Sequence, residues 1–322
     1  MPNSTHQRKP LDTRAILICV VLCFIWGLQQ VAIKAASTDV SPLLQVGLRC
    51  GVSGALLYLW NRFVSHERSN PSVRWHHGLF VGLAFACEFL FVAEGLRFTT
   101  ASHMSVLLYT APLFAAIGLA LRLPEERLSA LQWLGLLLAF SGIGIAFLLP
   151  TLLAESVAQM DNPLWWLGDL LGLASGISWG ITTVLLRTSS MNEASASQML
   201  YWQLGIGFVV LSSAACLSGQ TQITNTSLAW VSMLFQSVVV SFASYLVWCG
   251  LLRQYLAARL GVIVFMSPIF GVLLSIALLG EHVGLPFVTG SLCVLAGLVA
   301  VQGAGRLRQA LSWRRIGKHR QG

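Results

Sequence analysis

A stretch of thirty residues is written twice in this chain, and the distance between the copies constrains the fold more than any motif does. The first copy, Leu96 to Glu125, reads LRFTTASHMSVLLYTAPLFAAIGLALRLPE. The second, Leu252 to Glu281, reads LRQYLAARLGVIVFMSPIFGVLLSIALLGE. Without a gap, Leu96, Arg97, Ala101, Pro112, Phe114, Leu123 and Glu125 fall on Leu252, Arg253, Ala257, Pro268, Phe270, Leu279 and Glu281, each pair 156 residues apart. Solenoid repeats have periods of about 20–50 residues. A spacing near half the chain length of 322 residues means one duplicated unit.

What is duplicated follows from hydropathy. The chain is 56% hydrophobic and 10% charged, with mean hydropathy +0.73, whereas a soluble domain is about a quarter charged. Apolar runs long enough to cross the hydrocarbon core as helices, about 20 residues each, recur from end to end. Strands are excluded, because open sheet edges cannot sit in lipid and no alternating segments appear. The first apolar run, from Arg14 to Ala32, exceeds the h-region of a signal peptide, about 7–15 residues, and reads as the first helix. Ten helices are expected, at 14–36, 42–64, 76–96, 102–122, 128–150, 164–186, 195–217, 228–252, 256–279 and 284–304. The expected fold class is therefore all-α integral membrane: ten transmembrane helices as two inverted five-helix repeats. The divisions are a cytoplasmic tail at 1–13, a first repeat at 14–150, a linker at 151–163, a second repeat at 164–305 and a basic tail at 306–322.

Orientation follows from the basic residues in short loops. With the N-terminus in the cytoplasm, 17 of the 20 Lys and Arg fall inside, Lys34 and Arg97 outside, and Arg49 within a span. Both termini are then cytoplasmic. The net charge of +8 is spent on this asymmetry and on a tail, Arg306 to Arg320, suited to anionic headgroups, so no nucleic-acid partner is implied. Because each repeat holds an odd number of helices, the second enters from the opposite side: Arg97 is outside and Arg253 inside, Glu125 inside and Glu281 outside. Inverted repeats of this kind mark secondary transporters, which bind substrate near midplane where the halves meet.

The first half carries FIWGLQQVAIK, GLRCG, TAP…LPEER and QWLGLLLAFSGIGIAF; the second carries GDLLGLASGISWG, MSP…LLGEH and FVTGSLCVLAGLVAV. In their order over residues 14–305 these resemble a drug/metabolite transporter with two EamA-type repeats. The resemblance implies export or exchange of small metabolites, often amino acids, by alternating access, in the inner membrane of a bacterial-type cell.

Polar groups inside the spans are the candidate site. A charge at the centre of a span costs about 2.5–3.5 kcal/mol on insertion scales, so it faces a cavity or a partner. Glu88 lies near the middle of the third helix, and its counterpart is Ser244. It either titrates as a proton-coupling group, contacts a cationic part of the substrate, or pairs with Arg49. Arg49 shares the stripe Gln45-Arg49-Ser53, spaced i, i+4, i+8 on one face; it either holds a substrate carboxylate or phosphate or pairs with Glu94. Its counterpart in the second half is Gln203. Glu94 and Asp169 lie close to the outer ends of their helices, where snorkelling to water is cheap, and read as rim residues. Trp26 and Gln30 are i, i+4 on the first helix and Trp179 and Thr183 repeat this on the sixth, an aromatic face with a polar neighbour suited to an amphiphilic ligand. Trp60, Trp75, Trp165, Trp166 and Trp313 fit the interfacial belt. Ser102, Ser105, Tyr109 and Pro112 share one face of the fourth helix, and Ser237, Ser241, Tyr245 and Trp248 one face of the eighth. The serines suit helix packing; Tyr109, Tyr245 and Trp248 suit a cavity lining. Pro112 and Pro268 interrupt matched backbone bonds as hinges or static kinks. Gly135, Gly142, Gly144, Gly290 and Gly297 allow close helix approach.

The leading reading is a secondary transporter of a small metabolite, driven by protons or by exchange, with the bilayer and a small molecule as partners and a monomer or weak homodimer as assembly. A proton-coupled exporter of cationic compounds is the alternative, although the small four-helix multidrug pumps carry a Glu in their first helix where this chain has Gln29 and Gln30. An integral membrane enzyme acting on lipid would need a catalytic cluster such as HExxH or GxSxG, and none is present. No cofactor or metal site is expected. The seven cysteines lie within apolar runs without CxxC spacing, and no P-loop sequence exists for ATP.

Overall fold

The computed structural model describes residues 12–123, 128–152, 162–255, 260 and 263–319. Glu125 and residues 256–259 of the duplicated stretches lie outside the described residues, as do most of the N-terminal tail and of the linker. The side chain of Arg253 and those of the tail from Arg306 are likewise not described.

The described chain is helical. In chain order the helices are α1 (Thr13–Ala35), α2 (Pro42–Ser65), α3 (Trp75–Gly95), α4 (Ala101–Arg122), α5 (Ala130–Leu152), α6 (Trp165–Thr188), α7 (Ala196–Leu217), α8 (227–254), α9 (Met266–Leu279) and α10 (Leu285–His319). Seven are long and apolar enough to span a bilayer whole, and α5, α9 and α10 contain shorter apolar stretches. The chain is a multi-pass integral membrane protein. Local chemistry sets the ends. The side chains of Asp12, Ser41, Thr100, Ser195 and Thr226 each accept a backbone amide of the first turn, satisfying donors that the helix itself leaves free.

Three departures from regularity matter for the site. Helix α4 breaks at Tyr109 and Thr110, and Pro112 sits in the first turn of the second segment, Ala111–Arg122. There its missing amide removes no intrahelical bond. Pro268 lies one position further along in the first turn of α9, just after the turn at Phe265. Helix α8 is π-helical over Phe235–Ser244, and the Ser244 hydroxyl donates to the Val240 carbonyl at 2.5 Å, an acceptor the α-helical ladder would have used. Finally, α10 runs as helix to His319, well past the expected end of the last span at 304.

Packing repeats itself. Helix α1 lies on α9 as α6 lies on α4; α3 lies on α7 as α8 lies on α2; α3 meets α6 as α8 meets α1. The pairs α2–α7, α4–α9 and α5–α10 each join equivalent helices of the two halves. Every one of these contacts maps onto its partner when the first five helices are exchanged with the last five, which is what a two-fold relation between repeats requires. The loops show that the relation inverts the ends. At one end, the α1–α2 loop pairs with the α7–α8 loop: the Thr224 amide donates to the Asp39 carbonyl at 2.8 Å and the Ser41 hydroxyl to the Gln220 carbonyl at 2.6 Å. At the other, the α2–α3 loop holds the α6–α7 loop through the Asn70 amide group to the Glu193 carbonyl (3.0 Å) and the Arg74 amide to the Ser190 hydroxyl (3.0 Å).

Helices α5 and α10 meet through glycines. A Cβ on Gly135 would stand 2.9 Å from the Gly297 carbonyl oxygen, and one on Gly142 only 2.5 Å from that of Gly290. Gly144, expected in the same seam, has nothing within 4 Å of such a carbon.

Candidate functional site

The polar stripe on α2 divides into two structural residues and one without a partner. Gln45 donates to the carbonyls of Ile33 (3.1 Å) and Val40 (2.8 Å) and accepts from Gln236 of α8 (2.7 Å). Ser53 donates to the Ser237 carbonyl at 2.8 Å. Arg49, between them, is 0% exposed, yet Nε, Nη1 and Nη2 all lack a hydrogen-bond partner. Its guanidinium lies 4.3 Å above the Phe89 ring, a favourable contact for a buried cation. No ion pair joins it to Glu94, which instead binds Arg97 at 2.6 Å and accepts from Gln220 at 2.7 Å at the rim.

Glu88 is buried on α3, one position from Phe89, and within electrostatic reach of Arg49, Tyr109 and Tyr245. It too makes no ion pair with Arg49 within 4 Å. The two ionisable groups thus share one buried region without touching each other. In a low-dielectric interior a charge left in this way is held only by its surroundings, and a ligand bearing both charges would complete it.

Aromatic groups from four helices form two pairs in the bundle. The Trp26 indole N–H donates to Ser244 at 2.9 Å, and its ring meets Trp248 edge-on at 5.4 Å. Tyr109 meets Trp179 edge-on, also at 5.4 Å. Gln30 is buried with Oε1 unsatisfied, and so are the hydroxyls of Ser105, Ser241 and Ser267. Of the residues singled out in the sequence, Arg49, Glu88, Tyr109, Trp179 and Tyr245 are connected by these contacts and fields, while Trp26 and Trp248 form a separate aromatic pair tied to α8 through Ser244. Gln203 stands apart, half-buried on α7. Pro112 and Pro268 flank the region on α4 and α9 as described above.

Two cavities open at the ends of the bundle. One of about 390 Å³ is lined by Lys34, Asp39, Leu96, Arg97, Gln220 and Gln222 among others. The other, about 250 Å³, is lined by Tyr58, Asn61, Arg62, His66, Glu67 and Tyr201. Neither is lined by Arg49 or Glu88, so the charged centre lies between two vestibules and opens into neither.

Sequence reasoning missed one buried constellation. Asp169 is 1% exposed and does not snorkel to water; it accepts from the Thr99 hydroxyl and faces Nδ1 of His103 at 2.7 Å. His103 is 3% exposed and stacks flat on Phe287, with centroids 3.8 Å apart. The signal was available in an aspartate and a histidine inside spans, but pairing them required knowing that α4 crosses α6. Trp165 is also buried, unlike the exposed Trp60, Trp75 and Trp166. Among the described residues no group of three His, Cys, Asp or Glu is arranged to hold a metal ion.

The profile of the EamA-like transporter family matches residues 13–148 and again residues 166–302. The transporter YoaV of Bacillus subtilis is 23% identical over 88% of this chain and 95% of its own length. A protein named as a probable amino-acid metabolite efflux pump in Salmonella typhimurium is 23% identical over 87% of this chain and 92% of its own, and one of the same name in Escherichia coli is 23% identical over 88% and 92%. A solved crystal structure shares the fold with TM-score 0.60, covering 92% of this chain and 99% of that one at 16% identity. Two matched segments of five helices each, related by exchange of ends, place this chain in the EamA-like transporter family.

Proposed function

We propose that the protein is a secondary exporter or exchanger of small zwitterionic metabolites of the amino-acid class, working by alternating access between repeats 14–150 and 164–305. The observation that carries this is Arg49: a fully buried guanidinium with three unsatisfied nitrogens beside an unpaired Glu88. A carboxylate on Arg49 forms charge-assisted, bidentate hydrogen bonds. An ammonium on Glu88 neutralises the second charge, and Trp26, Gln30, Tyr109, Trp179, Tyr245 and Trp248 enclose the side chain, with Gln203 a more distant contributor. Two relatives named as amino-acid metabolite efflux pumps are consistent with this substrate class.

When substrate leaves, Glu88 takes a proton in place of the ammonium, which couples export to the proton gradient. Pro112 and Pro268, each just after a helix break, are the hinges on which the halves rock. The protein works as a monomer or weak homodimer in the bacterial inner membrane, with both termini cytoplasmic. A second reading, proton-coupled export of cationic aromatic compounds, is favoured by Tyr109 and Tyr245 within electrostatic reach of Glu88 and by Trp179 against Tyr109, but it leaves Arg49 unexplained.

Counterflow in proteoliposomes preloaded with labelled amino acids, with and without a pH gradient, tests both. Accelerated exchange of an amino acid, with acceleration by a gradient, is the expected result. Movement of cations such as quaternary ammonium dyes, with none of amino acids, would replace this reading by the second.

A further inference from the structure

The short elbow between α3 and α4 is gripped from both repeats. From α1, Lys34 Nζ donates to the carbonyls of Leu96 (2.5 Å) and Thr99 (2.9 Å). From the end of α9, the Glu281 carboxylate accepts the amides of Ala101 (2.7 Å) and Ser102 (2.9 Å) and the Ser102 hydroxyl (2.7 Å). From α6, Asp169 takes the Thr99 hydroxyl and faces His103. Behind His103 stands Phe287 of α10.

We propose that His103 and Asp169 form a proton-operated latch on this elbow, closed when the imidazole is protonated and released when it loses that proton. Lys34 and Glu281 carry opposite signs and are both held by elbow backbone. Glu94 and Arg97, at the end of α3, are paired with each other, and His282 beyond Glu281 is exposed. The balance at the elbow is therefore decided by the buried pair. Imidazolium beside carboxylate is neutral overall and sits flat on an aromatic face that favours a cation. Removing the proton leaves a buried carboxylate with only hydrogen bonds to hold it, and burial of an uncompensated charge is costly. Parting α4 from α6 lets water reach it, and the vestibule floored by Lys34, Leu96 and Arg97 then deepens toward Arg49.

The matching positions in sequence carry different side chains. In the register that matches Trp26 with Trp179, Asp169 corresponds to Ile16; in that which matches Pro112 with Pro268, His103 corresponds to Arg259 and Thr99 to Tyr255. Tyr255 does donate to an aspartate, Asp12, at 3.0 Å. The Ala15 amide first, and then this hydroxyl, hold the Asp12 carboxyl below its ordinary value. A depressed carboxylate keeps its contacts above the ordinary carboxylate range and loses them only as pH falls below it, so this second contact is indifferent to pH near neutrality. The latch opens onto one side only, so its proton returns to the side it came from: it gates the cycle and adds nothing to the coupling assigned to Glu88.

The test is a distance. Spin labels at Arg97→Cys and Trp166→Cys, both exposed, in a background with the exposed Cys216 replaced by serine, report separation of the elbow from α6 in nanodiscs, where both ends meet the same buffer. As the pH of the buffer is raised, the parent is expected to pass from one short distance to a population with a longer one. His103→Gln, which keeps a donor toward Asp169 but cannot titrate, should show one distribution at every pH, and so should Asp169→Asn. Glu88→Gln should leave the pH dependence in place. A parent whose distances ignore pH, or a His103→Gln protein that still responds to it, overturns the proposal whatever the substrate proves to be.

Discussion

Arg49 and Glu88 are separable by what their removal does to stability as against transport. If Arg49 were a structural ion-pair residue, replacing it would strand a buried partner and destabilise the fold by about 3–5 kcal/mol. No side chain accepts from it, so Arg49→Met, which fills similar volume without charge, is expected to melt at the same temperature or higher. Exchange of amino acids should fall tenfold or more, since a hydrogen bond to a charged group is worth about 1.5–3 kcal/mol and each 1.4 kcal/mol is about tenfold. Arg49→Lys should fall between, because a point charge cannot grip a carboxylate bidentately. Thermal melts in detergent beside counterflow rates decide this, and a melt lowered by several degrees would restore the structural role. For Glu88→Gln the expected outcome is retained substrate-for-substrate exchange with no acceleration by a pH gradient. Unchanged acceleration would remove Glu88 from the coupling step. In the sequence these two residues were legible as charges where charges are expensive. What was not legible was which polar neighbour had been absorbed by structure: Gln45 and Ser53 look equivalent to Arg49 in spacing, and only the positions of Ile33, Val40 and Ser237 distinguish them.

At the scale of the helix, ends and seams were readable and internal irregularities were not. Hydropathy and capping residues locate where a span begins, because lipid demands apolar length and free amides demand a cap. Side-chain pattern says less about the backbone ladder inside a span, so the π-helical stretch at Phe235–Ser244 was invisible and the break in α4 lies at Tyr109–Thr110, ahead of the proline that signals it. Pro112→Ala restores an amide able to reach the Leu108 carbonyl and so favours a continuous α4. The expected result is slower turnover at unchanged substrate affinity, measured as exchange rate against binding by scintillation proximity. An unchanged rate would mark the break as a static feature. The glycine seam gives a sharper contrast. Gly142→Leu places its Cβ where the Gly290 carbonyl leaves 2.5 Å, and overpacking of this kind costs about 1–3 kcal/mol or more. Gly144→Ala meets nothing and exchanges a poor helix former for the best one. The first should lower the melting temperature, the second hold or raise it.

The duplication made the whole molecule legible, because an odd number of helices per repeat dictates inversion and the packing of α1 on α9 and α6 on α4 follows from it. The His103–Asp169 pair shows where that logic stops. It joins the two repeats at one end, and the matching positions in sequence hold Ile16 and Arg259 instead, so symmetry offered no hint of it. Which compartment that end faces is a property of the entire chain, set by the excess of Lys and Arg in the loops opposite Lys34 and Arg97. Reporter fusions decide it. Alkaline phosphatase inserted in the α7–α8 loop, near Gln222, is expected to be active, and a fluorescent protein fused after Gly322 is expected to fold and fluoresce in the cytoplasm. The converse pattern would turn the bundle over without altering a contact within it. The vestibule beside Lys34 would then face the cytoplasm, and the latch on the α3–α4 elbow would sense internal acid, which changes what the proton regulates while leaving Arg49 and Glu88 at the same depth.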